Sequence, residues 1–468
     1  MTADTLDTRE LDRRYMFHPF SALNAHSQSG AAMMARSAEG VWITDDQGKR
    51  YLDAMAGLWC VNVGYGRDEI ADALADQTRK LSYFHGFSSM ATEPAAILAE
   101  QVIAKAPEGM SKVFFGASGS DANDTQVKLV WYYNNALGRP EKKKIISRDR
   151  GYHGVTVMSA GLTGLPGLHA GFDLPLPMIR HVSAPHNLWV RQPGESDDAF
   201  GDRLAQELED MILGEGPETV AAFIAEPVMG AGGVIVPPEG YFPKIQAVLD
   251  RYDVLMIADE VICGFGRLGT WFGSDKLGIR PDLMTVAKGI TSGYAPLSAC
   301  IVSEKVWQVI ANEGAAKFGP FGHGYTYTAH PVMAAAGLAN LALMEREDLV
   351  ARADAMGTVL QRALADTFGD MPIAAEIRGL GLVGAVEFAN PTQDGWTRFD
   401  PSQTVAPRIA RAALEAGLIV RALPNSDAIS FSPPFIIDEE QIGFAVTTLR
   451  QAADQVLEAL RSDKAVSV

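Results

Sequence analysis

Short apolar runs of strand length recur along the chain, and helical segments separate them. The clearest runs are Lys112–Phe115, Lys144–Ser147, Ala221–Ala225, Val254–Ala258 and Leu283–Ala287. Runs without polar alternation are typical of strands that are buried on both faces, as in a parallel sheet. Because such strands alternate with helices, we predict an α/β fold whose largest part is a mostly parallel, doubly wound sheet.

The pattern changes toward both ends of the chain. Asp4–Tyr15 predicts a short helix, the stretch after it looks like an extended arm, and Val41–Leu52 predicts a β-hairpin. Beyond Leu349, helices alternate with short strands such as Leu418–Arg421, which predicts a smaller α+β domain that shares its sheet with the hairpin. We therefore predict an arm and hairpin at 1–60 that belong to the small domain, a large domain at 61–345 and the rest of the small domain at 346–468.

The composition narrows the class of protein. The 468 residues are 47% hydrophobic and carry a net charge of −17. A strongly negative charge disfavours nucleic acid and anionic membranes as partners. No apolar run reaches the roughly eighteen residues of a membrane span, and the acidic N-terminal segment lacks the apolar core of a secretory signal. We therefore expect a cytoplasmic protein without a membrane partner.

Cysteines and histidines give no sign of a metal centre or a disulfide framework. Cys60, Cys263 and Cys300 are far apart in the sequence and are predicted to be buried free thiols of a reducing compartment. The histidine pairs considered as ligands lie in loop-like surroundings without nearby cysteines; they are His181 with His186 and His323 with His330. We expect no metal site.

Two of the apolar runs end on single charges of opposite sign. Asp259 follows Val254–Ala258, and Lys288 follows Leu283–Ala287. Ligands of parallel sheets bind beyond the carboxyl ends of the strands, so an acid and an amine on neighbouring strands would meet in one pocket. A desolvated lysine can form a Schiff base with pyridoxal phosphate, and a carboxylate is the usual partner of the ring nitrogen. The alternative is that both are ordinary, solvated strand-end residues.

The same region contains a competing motif. Gly264, Gly266 and Gly269 match the dinucleotide-binding pattern GxGxxG, which would indicate an oxidoreductase. That pattern requires a helix to open on its third glycine, whereas the following residues 270–281 include two further glycines and a proline. A loop is therefore the better interpretation.

Two loops elsewhere have the composition of a cofactor site. Residues 116–123 form a small-residue turn between a strand and a helix, an arrangement that presents backbone N–H groups to a phosphate. An ordinary N-cap by Ser118 or Ser120 is the alternative. Tyr152 lies between glycines just past a strand end, where its ring could lie on a planar cofactor or simply pack in the loop.

Six motifs in this order resemble those of the class III (omega) aminotransferases, which are fold-type I enzymes that depend on pyridoxal phosphate. The resemblance spans roughly residues 15–460. Its motifs are SGSDAND (118–124), GYHG (151–154), AEPVMGAGG (225–233), IADEVICGFGRLG (257–269), AKGITSGYAPLSA (287–299) and GYTYTAHPV (324–332).

The resemblance implies a role for each matching residue of the cofactor site. Lys288 would attach the cofactor as a Schiff base and then move a proton, while Asp259 would keep the pyridine nitrogen protonated. The other implied cofactor-site residues are Ser118, Gly119 and Ser120 for the phosphate, Tyr152 and Val261 for the two ring faces, His153 beside the ring, and Glu226 in the network near Asp259. Thr326, preceded by Tyr325, would complete the phosphate site of a partner subunit, which implies a homodimer with active sites at its interface and leaves a tetramer open.

The resemblance also implies how substrates bind. Arg421 would be a mobile arginine that pairs with a substrate carboxylate, although an ordinary strand-end arginine is the alternative. Positions that line the family's substrate pockets are occupied by Phe20, Leu58, Trp59, Phe87 and Ala231. No second arginine occupies a matching position, which disfavours a substrate with two carboxylates.

The expected activity is ping-pong transfer of an amino group from a primary amine or omega-amino acid to pyruvate or a similar 2-oxo acid. The runner-up is another outcome on the same scaffold, such as an aminomutase, a racemase or a decarboxylase, because the cofactor supports each of these. A non-catalytic binding protein is a third alternative, which the joint presence of Lys288 and Asp259 disfavours.

Overall fold

The computed structural model describes residues 7–462, in which strands and helices alternate along most of the chain. The strands, in chain order, are β1 (Ala35–Glu39), β2 (Trp42–Asp45), β3 (Arg50–Asp53), β4 (Met110–Gly116), β5 (Lys144–Arg148), β6 (Ile179–Val182), β7 (Val220–Ala225), β8 (Leu255–Asp259), β9 (Leu283–Val286), β10 (Ser298–Ser303), β11 (Ala374–Gly379), β12 (Gly384–Phe388), β13 (Asn390–Thr392), β14 (Gly395–Thr397), β15 (Leu418–Ile419), β16 (Arg421–Ala422) and β17 (Ala428–Phe431).

The helices are distributed over the whole chain. They are α1 (Thr8–Tyr15), α2 (Leu23–Ser29), α3 (Ala56–Trp59), α4 (Asp68–Lys80), α5 (Glu93–Lys105), α6 (Gly119–Ala136), α7 (Val157–Leu162), α8 (Asn187–Val190), α9 (Asp197–Glu215), α10 (Tyr241–Arg251), α11 (Gly273–Leu277), α12 (Glu304–Val309), α13 (Ala315–Phe318), α14 (Pro331–Arg346), α15 (Leu349–Phe368), α16 (Val405–Glu415) and α17 (Glu439–Ser462). None of these helices is both long and apolar enough to cross a membrane.

A seven-stranded sheet forms the centre of the molecule, with the strand order β4-β10-β9-β8-β7-β5-β6. The pairs β9-β8, β8-β7, β7-β5 and β5-β6 are parallel, which confirms the predicted mostly parallel sheet. β10, which the apolar pattern did not predict, is antiparallel to both neighbours. A loop rather than a long helix leads into it from β9, and antiparallel strands do not require a helical crossover.

Helices cover both faces of this sheet, as a doubly wound fold requires. Along β8, Leu255 and Ile257 join a buried cluster with Val127 of α6. The intervening Met256 joins the opposite cluster with Ile245 of α10. Successive side chains of a strand point to opposite faces, so this alternation places one helical layer on each side. The uninterrupted apolar run follows from burial on both faces.

The two ends of the chain meet in a second sheet of order β1-β2-β3-β15. β15 is parallel to β3, with Leu418 opposite Leu52, so the C-terminal part shares a sheet with the N-terminal hairpin as predicted. The predicted strand Leu418–Arg421 is divided, because Arg421 belongs to β16 and pairs with β17 in another sheet. The domain boundaries at residues 61 and 346 stay predictions.

The N-terminal arm differs from the prediction. α1 is present, although residues 4–6 of the predicted helix lie outside the described residues. The stretch expected to be an extended arm instead contains α2 and β1. The Arg9 guanidinium pairs with Asp46, 2.6 Å away, which anchors α1 to the hairpin. The two unpredicted elements also have tertiary partners, because the Arg13 guanidinium donates to the Ser27 carbonyl of α2 at 3.1 Å and β1 pairs with β2.

The glycine run after β8 is a packed loop rather than a nucleotide-binding turn. No helix opens on Gly269, since the residues that follow are turns and bends as far as α11. Gly266 and Gly269 both have positive φ. A Cβ on Gly266 would lie 2.7 Å from the Phe435 ring, and one on Gly269 would collide with Asp354. These glycines permit close packing against the C-terminal part of the chain, so the structure gives no support to a dinucleotide site.

Candidate active site

A cavity of about 170 Å³ opens at the carboxyl edge of the central sheet. Eight of the residues predicted for the cofactor site line it, namely Gly119, Ser120, Tyr152, His153, Glu226, Asp259, Val261 and Lys288. They are contributed by the ends of five elements, because β5, β7, β8 and β9 finish at this edge and α6 begins there. The position is the one at which open α/β sheets bind ligands.

Asp259 and Lys288 face this cavity from neighbouring parallel strands. β8 pairs with β9 such that Asp259 lies opposite Thr285, three residues before Lys288. Asp259 is buried, and burial lowers the pKa of the Lys288 amine below its ordinary value. No ion pair joins the two groups within residues 7–462, since Asp259 pairs only with His153 there. The acid and the amine therefore share one cavity and leave the space between them to a ligand.

Asp259 is held by three hydrogen bonds. Asn123 Nδ2 donates to Asp259 Oδ2 at 2.8 Å, and His153 Nδ1 lies 2.8 Å from the same oxygen. The backbone N–H of Val261 donates to Oδ1 at 3.1 Å. Hydrogen bonds to an ionised acceptor are short and strong, so these donors fix the orientation of the carboxylate.

Asn123 was not identified from the sequence. It lies in the first turns of α6, buried, and its Nδ2 also donates to the backbone carbonyl of His153 at 2.7 Å. The residue belongs to the SGSDAND motif, which indicated a phosphate site rather than a partner for Asp259. Its contact with Asp259 spans 136 positions of the chain, and only the packing of α6 against the sheet brings the two together.

Glu226 organises the loops around the cavity rather than contacting Asp259 through a hydrogen bond. Its carboxylate accepts the backbone N–H of Tyr152 at 2.9 Å and that of Gly230 at 2.8 Å. Burial raises the pKa of this carboxyl group above its ordinary value. Glu226 thus connects the loop after β5 to the loop after β7.

The serine-rich turn at the start of α6 combines the two predicted roles, a helix cap and an anion-binding helix N-terminus. Ser118 is the N-cap, and its Oγ accepts the backbone N–H of Asp121 at 3.1 Å. Ser118 does not line the cavity, so for this residue the capping alternative is the one observed. Gly119 and Ser120 do line it, at the helix N-terminus where backbone N–H groups favour an anion. A Cβ on Gly119 would lie 3.1 Å from the Val261 side chain, so glycine allows the loop to approach Val261.

An apolar wall adjoins the cavity. Trp59 and Ala231, both predicted to line the substrate pocket, are buried in one cluster with Ile262. Tyr152 packs against this cluster, which connects the wall to the expected stacking residue. Leu58, by contrast, is exposed.

Arg421 is half-buried on β16 and has no acidic partner in the described part of the chain. Burial lowers the pKa of its guanidinium, and the interaction with Tyr152 opposes that effect. Arg421 is also among the charges that act on Lys288, where it helps to lower the pKa of that amine. A partly desolvated guanidinium without a carboxylate can bind the carboxylate of a ligand.

Phe20, Phe87, Tyr325 and Thr326 are among the predicted residues that do not line the cavity of their own chain. Phe20 is 65% exposed and Phe87 is 46% exposed, and neither lines the cavity. Tyr325 contacts Thr125, with 2.9 Å between the hydroxyl oxygens, and Thr326 is exposed. Thr326 therefore does not complete the phosphate site within one chain.

The residues present fit pyridoxal phosphate. The cavity offers an amine of lowered pKa for a carbonyl, a carboxylate for a ring nitrogen, and a helix N-terminus for a phosphate. The buried His153 Nε2 has no hydrogen-bond partner among the described residues. Tyr152 and Val261 supply side chains for a planar ring. The chemistry of this donor set therefore matches the parts of the cofactor.

Comparison with known proteins agrees with this geometry. The aminotransferase class-III family profile matches residues 23–453. The chain is 47% identical to a diaminobutyrate–2-oxoglutarate transaminase of Halomonas elongata, with 98% of each chain covered. It is 46% identical to the mitochondrial gamma aminobutyrate transaminase 1 of Solanum lycopersicum, covering 96% of this chain and 87% of that protein. A crystal structure of the omega transaminase from Pseudomonas jessenii in complex with PMP superposes with a TM-score of 0.94 at 46% identity, covering 97% and 99% of the two chains.

Proposed function

The chain belongs to the class-III aminotransferase family, and from that premise we propose that it transfers the amino group of a primary amine or an omega-amino acid to pyruvate or a similar 2-oxo acid. Enzymes of this family depend on pyridoxal phosphate and transfer amino groups. The observation that carries the proposal is that Lys288 and Asp259 face one cavity from neighbouring parallel strands without contacting each other.

The chain's own residues supply binding, orientation and a proton carrier. When bound, pyridoxal phosphate supplies a carbonyl that condenses with amines and a ring that withdraws electrons from the substrate carbon. Lys288 contributes an amine whose lowered pKa increases its neutral, nucleophilic form, which can also accept a proton. Asp259, oriented by Asn123 and His153, would present its carboxylate to the ring nitrogen.

Arg421 is the group that we propose to recognise the carboxylate of the substrate. A ping-pong enzyme must accept an amine and a carboxylated acceptor in the same pocket. A mobile guanidinium can contact the acceptor and leave room for the amine, and Arg421 has no acidic partner in the described part of the chain that would hold it in place. Because Arg421 can neutralise only one carboxylate, pyruvate suits the site better than an acceptor that has two carboxylates. The name of the Halomonas elongata relative includes 2-oxoglutarate, which makes that compound the essential comparison.

A donor panel read by absorbance tests this proposal. The purified holoenzyme is mixed with β-alanine, gamma-aminobutyrate, a diamine or 1-arylethylamines, and then with pyruvate or 2-oxoglutarate. We expect a donor to change the cofactor spectrum, pyruvate to restore it, and alanine to accumulate. Restoration by 2-oxoglutarate alone would contradict the acceptor assignment. A keto product together with new alanine separates amino transfer from the chemistry of an aminomutase, a racemase or a decarboxylase.

A homodimer with active sites at the interface is part of the same proposal. Its support is an apolar surface that includes the exposed Phe20, Val157 and Phe172 and adjoins the cavity through Val155, whose backbone N–H donates to Ser120 Oγ. We propose that Thr326, exposed and outside its own cavity, completes the phosphate site of the partner subunit.

Mixed dimers distinguish this arrangement from a site formed within one chain. Lys288→Ala and Thr326→Ala subunits are combined, and the isolated heterodimer is compared with both parents. If Thr326 acts across the interface, one site of the heterodimer has both an intact lysine and an intact threonine, so half of the wild-type activity returns. No recovery beyond the sum of the parents means that Thr326 does not serve the partner. Light scattering determines whether dimers pair into tetramers.

We also propose a cytoplasmic location. The three cysteines are free thiols in the structure, as proteins of reducing compartments commonly have. Cell fractionation with activity as the marker tests this part, and activity confined to an extracellular or periplasmic fraction would contradict it.

A further inference from the structure

A cluster of two histidines and one aspartate lies in the N-terminal arm, away from the cavity. Asp12 belongs to α1, His26 belongs to α2, and His18 lies in the connection between them. His18 Nε2 lies 2.8 Å from Asp12 Oδ1, and His26 Nε2 lies 3.4 Å from Asp12 Oδ2. We propose that Asp12, His18 and His26 bind a divalent transition-metal ion of the zinc type, which holds the two helices of the arm together.

The donor atoms have the chemistry and the spacing that such an ion requires. Two imidazole nitrogens and a carboxylate oxygen are ordinary zinc ligands, with water in the fourth position. Tetrahedral bonds of about 2.0–2.1 Å place neighbouring ligand atoms roughly 3.3 Å apart. One ligand atom from each of the three residues lies within 4.8 Å of the others, so small side-chain rotations suffice to form the site.

Two of the donor atoms lack any other partner. Asp12 Oδ2 and His26 Nε2 are shielded from solvent and make no hydrogen bond within residues 7–462. The rings of His18 and His26 are close, with centroids 4.2 Å apart, so both imidazoles converge on one carboxylate. Shielded polar atoms usually have partners, and one cation between them would satisfy both.

A second cluster shows what a purely structural arrangement looks like. His186 lies beside Glu376 and Glu387, but Arg378 forms ion pairs with both carboxylates at 2.6 and 2.7 Å. A guanidinium already occupies the place of a cation there. In the described part of the arm, the nearest arginines pair elsewhere: Arg9 with Asp46 and Arg13 with Glu10. The charge of Asp12 is therefore faced only by histidines.

The ion would stabilise a segment next to the apolar surface. The connection at 16–22 carries the exposed Phe17 and Phe20, and Phe20 has a strained φ of 51°. Pro19 and Phe20 border a surface cavity together with Val155, whose backbone N–H donates to Ser120 Oγ at 3.0 Å. Linking α1 to α2 reduces the freedom of this connection, so metal binding is expected to order the Phe20 segment.

Zinc titration of the holoenzyme tests the proposal. The tag-free enzyme is dialysed against a chelator and then titrated calorimetrically with Zn²⁺ in a buffer without phosphate. We expect one site per chain, and we expect Asp12→Asn, His18→Ala and His26→Ala each to weaken it at least about tenfold, since changes even outside the ligand set cost about 10- to 100-fold. Glu39→Gln, which removes an exposed charge from β1 without removing a ligand or releasing Arg13 from Glu10, should bind as the wild type does.

Cobalt provides a measurement that requires no variant. Co²⁺ bound by two imidazoles, a carboxylate and water should give the visible absorption of a tetrahedral site, which stoichiometric Zn²⁺ removes.

Absence of a stoichiometric site in the wild type, or equal affinity in the wild type and all three ligand variants, would overturn the proposal. Retained transamination in these variants separates a loss of the arm site from a failure to fold.

Discussion

The cofactor side and the substrate side of the active site are built differently. On the cofactor side, Asp259 and Glu226 are buried and each accepts hydrogen bonds from neighbouring loops or helices. Among the residues predicted for the substrate, Phe20 and Phe87 are exposed, Trp59 and Ala231 are buried in the apolar wall, and Arg421 has no acidic partner in the part of the chain that the structure describes. Under the proposed function, rigid strand ends would fix the reaction type, whereas substrate choice would depend mostly on loops, the arm and a second subunit.

The physical basis is the density of contacts. A side chain at the end of a buried parallel strand is confined by neighbours on both faces of the sheet, so its position tolerates little change. Exposed loops and arms have fewer contacts and adapt more readily to different ligands. The following predictions test this contrast, from the largest expected effect to the smallest.

Lys288→Ala should produce the largest loss. The variant lacks the amine that we propose attaches the cofactor and carries the proton, and acid–base groups of this kind contribute about 10²–10⁴-fold to rates. We expect no covalent attachment of the cofactor by mass spectrometry and a fall in transamination of at least that size. Full activity in this variant would show that Lys288 is not the central residue of the cofactor side.

Arg421→Ala should affect only one class of substrate. Hydrogen bonds to charged groups contribute about 1.5–3 kcal/mol, so kcat/KM for pyruvate and other carboxylated substrates should fall roughly 10- to 100-fold. Amine donors without a carboxylate should change little in the first half-reaction. Arg411→Ala, an exposed arginine paired with Glu415, is the matched control. Equal losses for both substrate classes would contradict a specific role in binding carboxylates.

Asn123→Ala tests how tightly the cofactor side is organised. The variant removes the Nδ2 donor to Asp259, and the loss of one such hydrogen bond should lower kcat by roughly tenfold and change the pH dependence of the cofactor spectrum. Asn134→Ala is the control, because this buried asparagine of α6 donates only within its own helix, to the Val130 carbonyl. An Asn123→Ala spectrum and pH profile identical to the wild type would mean that Asn123 is merely structural.

Glu260→Gln should change the pH dependence of stability rather than catalysis. Burial raises the pKa of Glu260 to about 7, against 4.5 for the free group. Between pH 4.5 and about 7, the Glu260 carboxyl is therefore more protonated in the folded protein than in the unfolded chain. Because the folded state binds more protons, the contribution of Glu260 to the free energy of unfolding decreases as the pH rises through this range. The variant should show a shallower decrease in Tm between pH 5 and 7.

A control variant and a second readout complete the test of Glu260. Glu440→Gln, an exposed acid at the start of α17, should leave the wild-type slope intact. Since Glu260 accepts hydrogen bonds from Ser274 and Gly273, Glu260→Gln should also lower Tm at all pH values. An unchanged slope would show that Glu260 does not titrate in this range.

The sequence predicted the strands that are buried on both faces of the central sheet. β5, β7, β8 and β9 lie within one residue of the predicted apolar runs. It did not predict β10 or α2, because the folding of these segments depends on contacts with residues that are far away in the sequence. Cys60 was expected to be buried but is only half-buried, because it lies in the irregular segment beside the cavity.

For the active site, the sequence identified the two residues that we propose carry the chemistry. Asp259 and Lys288 could be found because a single charge that ends an apolar run is a local pattern, and the carboxyl ends of parallel strands share one edge of the sheet. The serine-rich turn likewise indicated a helix N-terminus. The family resemblance then assigned roles to these positions.

Only the tertiary structure decided which side chains support them. It made Ser118 a helix cap, placed Asn123 against Asp259, and left Thr326 outside the cavity of its own chain. It also brought Asp12, His18 and His26 together in the arm, where the sequence had indicated no metal site. Hydrogen bonds depend on the distance and direction between atoms far apart in the chain, and packing of the whole fold sets both.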